Sequence, residues 1–213
     1  MIRLPLARRA WPYGLTAACI ASAGWLIGPG VGGILSIPLL LIILLFRDPE
    51  RNVPILSSSA VLSPADGIIT SIERIPCETI PDAIRITICL SLFDVHLQRA
   101  PFSGTVSAMY HIPGRFLPST HPDAANQNER MVFHLHSDEG NAEVVCIAGH
   151  ILRRIFTWAR PDDRLLRGQR FAIIKLGSRV DLYLPATSRL NVSIGMRVRA
   201  GETDLGSFPD GVE

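Results

Sequence analysis

Apolar and polar positions divide this chain into two regimes. From Ala10 to Phe46 not one residue is charged. The block is interrupted at Gly28-Pro29-Gly30, a strong breaker, because glycine loosens the backbone and proline removes a donor. Two runs result, Trp11 to Ile27 and Val31 to Phe46. At roughly 1.5 Å per residue each predicts a helix about 25 Å long, slightly short for a bilayer core of about 30 Å. The pair reads as a helical hairpin of two short spans or as a re-entrant pair, with a buried core hairpin as the alternative. A cleaved signal peptide fits worse, since it would have a shorter core, a small-residue cleavage site and no second run.

After Arg47-Asp48-Pro49-Glu50-Arg51 the pattern changes. Runs of four to eight apolar or β-branched residues alternate with clusters of Gly, Pro, Asn and Asp. They predict strands at 67–75, 83–90, 104–108, 130–137, 142–148, 170–175, 179–184 and 197–200. Phe93 to Arg99 and Ile151 to Ile155 read as single helical turns or short helices. Pro113 to Asn128, with three prolines, reads as a long polar loop, a type that is often functional. The expected fold is therefore β-rich (α+β) with few short helices, preceded by an apolar helical hairpin. Pro64-Ala65-Asp66-Gly67, Pro101-Phe102-Ser103-Gly104 and the stretch Gly195 to Glu202 repeat a glycine cadence that resembles the barrel-sandwich hybrid domains of biotinyl and lipoyl carriers. Tight turns between short strands would explain it. The carrier activity is not implied, because no hairpin tip presents Lys175, the one lysine.

Charge follows the same division. The formal net charge is +2 and the mean hydropathy +0.27, but Arg3, Arg8 and Arg9 supply three positive charges before the apolar block. The remaining 167 residues carry 18 basic and 19 acidic side chains. A near-neutral body argues against nucleic-acid binding, and mixed charge with high apolar content argues against disorder. The body is long enough for one sizeable core. Arginines flank both ends of the apolar block, which favours a cytoplasmic location for both. Cys77, Cys89 and Cys146 form an odd set without a C-x-x-C pair, so they read as three buried thiols in a reducing compartment rather than a disulfide framework or zinc site.

Three constellations could carry chemistry, and each has an ordinary reading beside it. Asp66 precedes Gly67 at a strand start, as a turn or capping residue does. His96, between Asp94 and Arg99, could be an oriented base or a buried, hydrogen-bonded histidine. Gly177-Ser178, between two strand-like runs, suits a hairpin or bulge.

Together they resemble the phosphatidylserine decarboxylases, in particular the short, membrane-anchored bacterial and archaeal form. The resemblance rests on six pieces in order. These are the double apolar leader ending in Phe46 to Arg51; Ser63 to Gly67; Phe93 to Pro101; Asn128-Glu129-Arg130; Ile147-Ala148-Gly149 leading to Arg153-Arg154-Ile155; and Arg167-Gly168 running into Leu176-Gly177-Ser178. It implies a proenzyme that cuts itself at Gly177–Ser178. The products would be a β chain, residues 1–177, and an α chain, residues 178–213, whose Ser178 becomes a pyruvoyl group. That group would decarboxylate phosphatidylserine to phosphatidylethanolamine through a Schiff base. The resemblance assigns His96 as base, oriented by Asp66, following the logic of a Ser-His-Asp triad. Longer members carry a second histidine three residues on. Here that position is Arg99, which replaces one role electrostatically or binds a substrate carboxylate or phosphate, unless His96 does both jobs.

The implied partners are phosphatidylserine, membrane lipid and the two cleaved chains as a heterodimer, open to higher assembly, with no nucleic acid and no metal. The implied location is the cell membrane, with residues 1–46 as anchor and the catalytic domain, 47–213, on the cytoplasmic side. Two other readings stand against this one. His134 and His136 on one strand face, with His111, His121 and His150, could make a zinc hydrolase. A membrane-tethered barrel-sandwich adaptor without catalysis would remain a single intact chain.

Overall fold

The computed structural model describes residues 11–45, 47–115, 117, 123–149, 155–174 and 178–209. Contacts divide the chain into two units, Met1–Glu50 and Arg51–Glu213.

The first unit is a helical hairpin, α1 (Trp11–Ile27) and α2 (Pro29–Leu45). Pro29 takes the first position of α2, where its missing N–H costs nothing. The hairpin is small inside and large outside. Ala17 and Ala21 are buried, while Tyr13, Leu15, Ile20, Trp25, Leu26, Ile34 and Leu40 are exposed. The helices meet at glycine: a Cβ on Gly24 would lie 2.8 Å from Leu35 Cδ1, and one on Gly32 would lie 2.5 Å from Trp25 Cδ2. Polar side chains bond within the hairpin, with Ser36 Oγ donating to the Gly32 carbonyl at 2.7 Å and Trp25 Nε1 donating to Ser36 Oγ at 3.3 Å. Each helix has 17 residues. Among the described residues, no helix is long and apolar enough to cross a membrane.

The second unit is β-rich. Its strands are β1 (Ala60–Leu62), β2 (Gly67–Arg74), β3 (Ala83–Cys89), β4 (Leu97–Arg99), β5 (Gly104–Ile112), β6 (Arg130–Ser137), β7 (Gly140–Ile147), β8 (Ile155–Thr157), β9 (Arg164–Leu165), β10 (Arg170–Ile174), β11 (Arg179–Pro185), β12 (Arg189–Leu190), β13 (Arg197–Val198) and β14 (Asp204–Ser207). A short helix, α3 (Ala124–Gln127), lies between β5 and β6. Eight strands form one curled half-barrel sheet in the order β13-β2-β3-β11-β7-β6-β5-β9. Two three-stranded sheets, β1-β14-β12 and β4-β10-β8, complete the unit.

Alternation decides which face of the large sheet is core. On β11, Val180, Leu182 and Leu184 point inward and are wholly buried, and they join Ile86, Ile88, Phe133, Val144, Phe171 and Phe208 in one cluster. Phe133 and Phe171 meet edge to face at 4.9 Å, as do Phe102 and Phe208 at 5.0 Å, a geometry favoured by the ring quadrupole. Cluster members come from all three sheets, so one core holds them together.

Several expectations are corrected. Leu97–Arg99 is strand β4, not part of a helical turn. It pairs with β10, with Leu97 opposite Ile173, a partner too distant in sequence to mark the pattern locally. The expected turn at 151–155 falls largely outside the described residues; Ile155 opens β8. Within Pro113–Asn128 the short helix α3 replaces part of the expected loop. Asn128, wholly buried, ties that segment down by donating from Nδ2 to the carbonyls of Leu117 and Ala148 at 2.8 and 2.9 Å. Only Cys146 is a buried thiol, while Cys77 and Cys89 are half-buried. Burial pushes the Cys146 thiol far up, which leaves it a packing group.

Candidate functional site

Two successions of strands pass from the large sheet to the β4-β10-β8 sheet at the same place. β3 is followed by β4, and β10 is followed by β11. Since β3 pairs with β11 and β4 with β10, the strand ends that flank the two passages lie side by side. The passages are tied at both ends. Leu90 N–H donates to the Ser178 carbonyl at 3.0 Å, and Ile174 N–H donates to the His96 carbonyl at 3.0 Å. The fold thus brings His96 and Ser178 into one neighbourhood although 82 positions separate them in sequence. His96 is 2% exposed and Ser178 0%. Among the described residues, the Ser178 hydroxyl has no hydrogen-bond partner. Gly177, Leu176 and Lys175 lie outside the described residues.

Asp66 is held at the same end of the sheet. Ile68 pairs with Cys89, and Cys89 pairs with Arg179. Gly67 is required there: at φ +153 a Cβ would lie 2.3 Å from the Cys89 carbonyl oxygen, closer than any side chain tolerates. Both Asp66 carboxylate oxygens accept bonds, Oδ1 from the Ala200 N–H at 2.8 Å and Oδ2 from Arg51 Nη2 at 2.7 Å. Arg51 also donates from Nη1 to Glu202 at 3.2 Å. Its side chain is 7% exposed and that of Asp66 11%. Breaking such a buried pair strands a charge, at a cost of about 3–5 kcal/mol. Arg51→Leu is therefore expected to lower the melting temperature of the full chain by many degrees, with Arg51→Lys intermediate. Thermal unfolding in detergent measures it.

The neighbours of His96 are otherwise engaged. Asp94, 4% exposed, accepts from the Ser91 N–H at 2.8 Å and from Arg197, so it fixes the passage that delivers His96. Arg99, 5% exposed, donates from Nη1 to the Gly168 carbonyl at 2.9 Å and runs past Gly201, where a Cβ would lie 2.9 Å from Arg99 Cδ. Arg51 and Arg197 carry no local sequence signal, because their carboxylate partners lie 15 and 103 positions away.

The described histidines of the zinc reading, His111, His134 and His136, do not converge. His134 is buried and lies 3.2 Å from Glu143, whose carboxyl burial pushes up. His136 is exposed and bonds to Asn141 at 2.6 Å, and His111 bonds to Glu129 at 3.1 Å. Among the described residues, no group of three or more His, Cys, Asp or Glu side chains could hold a metal ion. His121 and His150 lie outside them. A polar pocket of about 420 Å³, lined by Ser58, Ser103, His136, Arg164 and Arg167 among others, contains none of Asp66, His96 or Ser178.

Comparison with known proteins adds an independent finding. The family model for phosphatidylserine decarboxylase matches residues 39–206. The chain is 38% identical to the phosphatidylserine decarboxylase proenzyme of Nitrosomonas europaea, with 95% of each chain covered. It is 37% identical to that of Symbiobacterium thermophilum, with 98% of each covered. With that of Burkholderia mallei the identity is 39%, with 96% of each covered.

Proposed function

Because the chain belongs to the phosphatidylserine decarboxylase family, we propose that it decarboxylates phosphatidylserine to phosphatidylethanolamine, using a pyruvoyl group that it makes from its own Ser178. The observation that carries this reading is the Ser178 hydroxyl, wholly buried and without a hydrogen-bond partner among the described residues. Leaving a buried polar group unpaired costs about 1–3 kcal/mol, and such exceptions mark strain or catalysis. A serine whose hydroxyl is not committed elsewhere fits a residue that is to be converted.

Self-cleavage and conversion of Ser178 use groups of this chain and one water molecule. Ser178 Oγ attacks the Gly177 carbonyl carbon as its proton passes to a base, and the C–N bond breaks to leave an ester and a free amine. Removal of the Ser178 Cα proton then expels the Gly177 carboxylate, and addition of water with loss of ammonia leaves a ketone. His96 is the candidate base for the first proton. Asp66 is the candidate carboxylate behind it: a carboxylate has about four lone-pair sites, so two accepted bonds leave room for an imidazole. Once formed, the pyruvoyl group supplies an electron sink for the bond to CO₂. The protein's part is to hold the substrate, exclude water and move protons. Arg99 is the candidate for the substrate carboxylate or phosphate.

We place the catalytic unit at the cytoplasmic face of the cell membrane. The hairpin supports this reading, since small residues at a helix contact with large apolar ones turned outward is a lipid-facing arrangement. Helices of about 25 Å suit a re-entrant or locally thinned bilayer.

The test is a mass spectrum of the purified protein, with phosphatidylethanolamine measured from phosphatidylserine vesicles. The expected result is two chains, 1–177 and 178–213, the shorter with a blocked N-terminus. A single intact chain that releases no CO₂ would overturn the proposal and favour the adaptor reading.

A further inference from the structure

The residue that follows Ser178 is held in an unusual way. Arg179 opens β11, opposite Cys89 of β3 on one side and Ile147 of β7 on the other. Its side chain folds back along its own strand. Nε donates to Asp181 Oδ1 at 2.7 Å and Nη2 to Asp181 Oδ2 at 2.9 Å. Nη2 also donates to Thr87 Oγ1 at 3.1 Å. Thr87 lies directly opposite Asp181 in the register. Asp181 is 1% exposed, Thr87 2%, and the Arg179 side chain 11%.

A buried ion pair is a poor device for stability, because well-packed apolar residues of similar size do as well or better. Its value lies in fixed geometry: a planar guanidinium set against both oxygens of a carboxylate allows one arrangement. Here that geometry is imposed one residue from the reactive serine. The backbone on the other side is fixed too, since the Ser178 carbonyl accepts the Leu90 N–H. The guanidinium is spent on Asp181 and Thr87, so it is not offered to substrate.

We propose that Arg179, clamped by Asp181 and Thr87, is a positioning residue: it holds Ser178 in line for self-cleavage and then keeps the new chain end in place for turnover. This rests on the reading of Ser178 as the cleavage serine. Cutting the chain before Ser178 turns an internal residue into a strand terminus, and termini fray unless tied. The clamp ties the first residue of the strand by its side chain, without involving the bond that breaks.

The experiment compares wild type, Arg179→Lys and Thr87→Val. Freshly synthesised chain is followed by gel for appearance of the short fragment, and the melting temperature, kcat and KM are measured on the same samples. Lysine keeps the charge but loses the fork, and valine removes one bond without changing shape. A misplacement of about 1 Å can cost on the order of 100-fold, so Arg179→Lys should cleave at least tenfold more slowly. It should also show reduced kcat at unchanged KM. Thr87→Val should show a smaller loss of the same kind, and it carries the test if the lysine variant does not fold. Both variants cleaving and turning over like wild type would overturn the clamp, as would rate losses that merely track the folded fraction. A wild-type chain that stays whole would instead overturn the proposed function.

Discussion

Replacing Ser178 by alanine is expected to leave the protein as one chain of 23.3 kDa with no decarboxylase activity. Alanine has no Oγ to attack the preceding carbonyl, and without an ester there is no elimination and no ketone. The substitution should not disturb the fold. The Ser178 side chain makes no hydrogen bond among the described residues, so removing it strands no partner, and the bond from Leu90 goes to the main-chain carbonyl. The Ser178→Ala protein should therefore melt at or slightly above the temperature of an uncut wild-type chain. Gel electrophoresis and thermal unfolding check the two halves. Ser178→Thr keeps a hydroxyl but adds a methyl group in a wholly buried position, and should cut slowly if at all. A cut Ser178→Ala chain would show that the reactive residue lies elsewhere.

Replacing His96 by alanine should have the next largest effect. General-base assistance contributes about 10²–10⁴-fold, so the variant should accumulate as proenzyme on the timescale in which wild type matures. His96→Gln is the sharper variant. It keeps a polar side chain in a site that is 2% exposed and so limits the structural cost, but it cannot take a proton at neutral pH. Time courses of fragment release by gel distinguish a slowed reaction from an abolished one. Maturation at wild-type rate in both variants would remove His96 from the mechanism.

The legible parts of the fold were the long strands. β3 and β11 alternate apolar and polar positions over most of their seven residues, enough for a period of two to declare itself, while β2 and β6 are runs rich in apolar and β-branched residues bounded by turn residues. Strands such as β9 and β12 have two residues each and contain no period. They exist because a neighbour already in place offers its edge. Leu97–Arg99 misled for a related reason, since three residues cannot separate a helical turn from a strand end. The glycine cadence was informative where a left-handed backbone was needed: Gly195 and Gly201, at φ +89 and +72, bracket β13 with turns.

The candidate site was legible only as an ensemble. Asp66, His96 and Ser178 each have an ordinary structural reading, and what distinguishes them is the order of six motifs along the chain. Their supports were not legible at all. Asp181 lies two residues from Arg179 on a strand, which marks only a shared face. That the pair is buried, and that Thr87 completes it, depends on β3 lying beside β11. Asp94 looked like a partner for His96 because of its proximity in sequence, yet its carboxylate is directed to Ser91 and to Arg197.

The position of β11 between β3 and β7 has a consequence for the life of the mature molecule. A cut at Gly177–Ser178 would place β11 through β14 on a separate short polypeptide, yet β11 lies inside the large sheet and β14 lies between β1 and β12. The short piece could not leave without dismantling two sheets, so the two polypeptides would stay together with no covalent link. Unfolding, however, would release them into solution, and recovery would then require an encounter between two molecules rather than collapse of one. Such a cut would convert a chain that folds by itself into an assembly whose refolding depends on concentration. The information needed to build the sheet would then be used once, before the cut, and afterwards be preserved only by the sheet's own persistence.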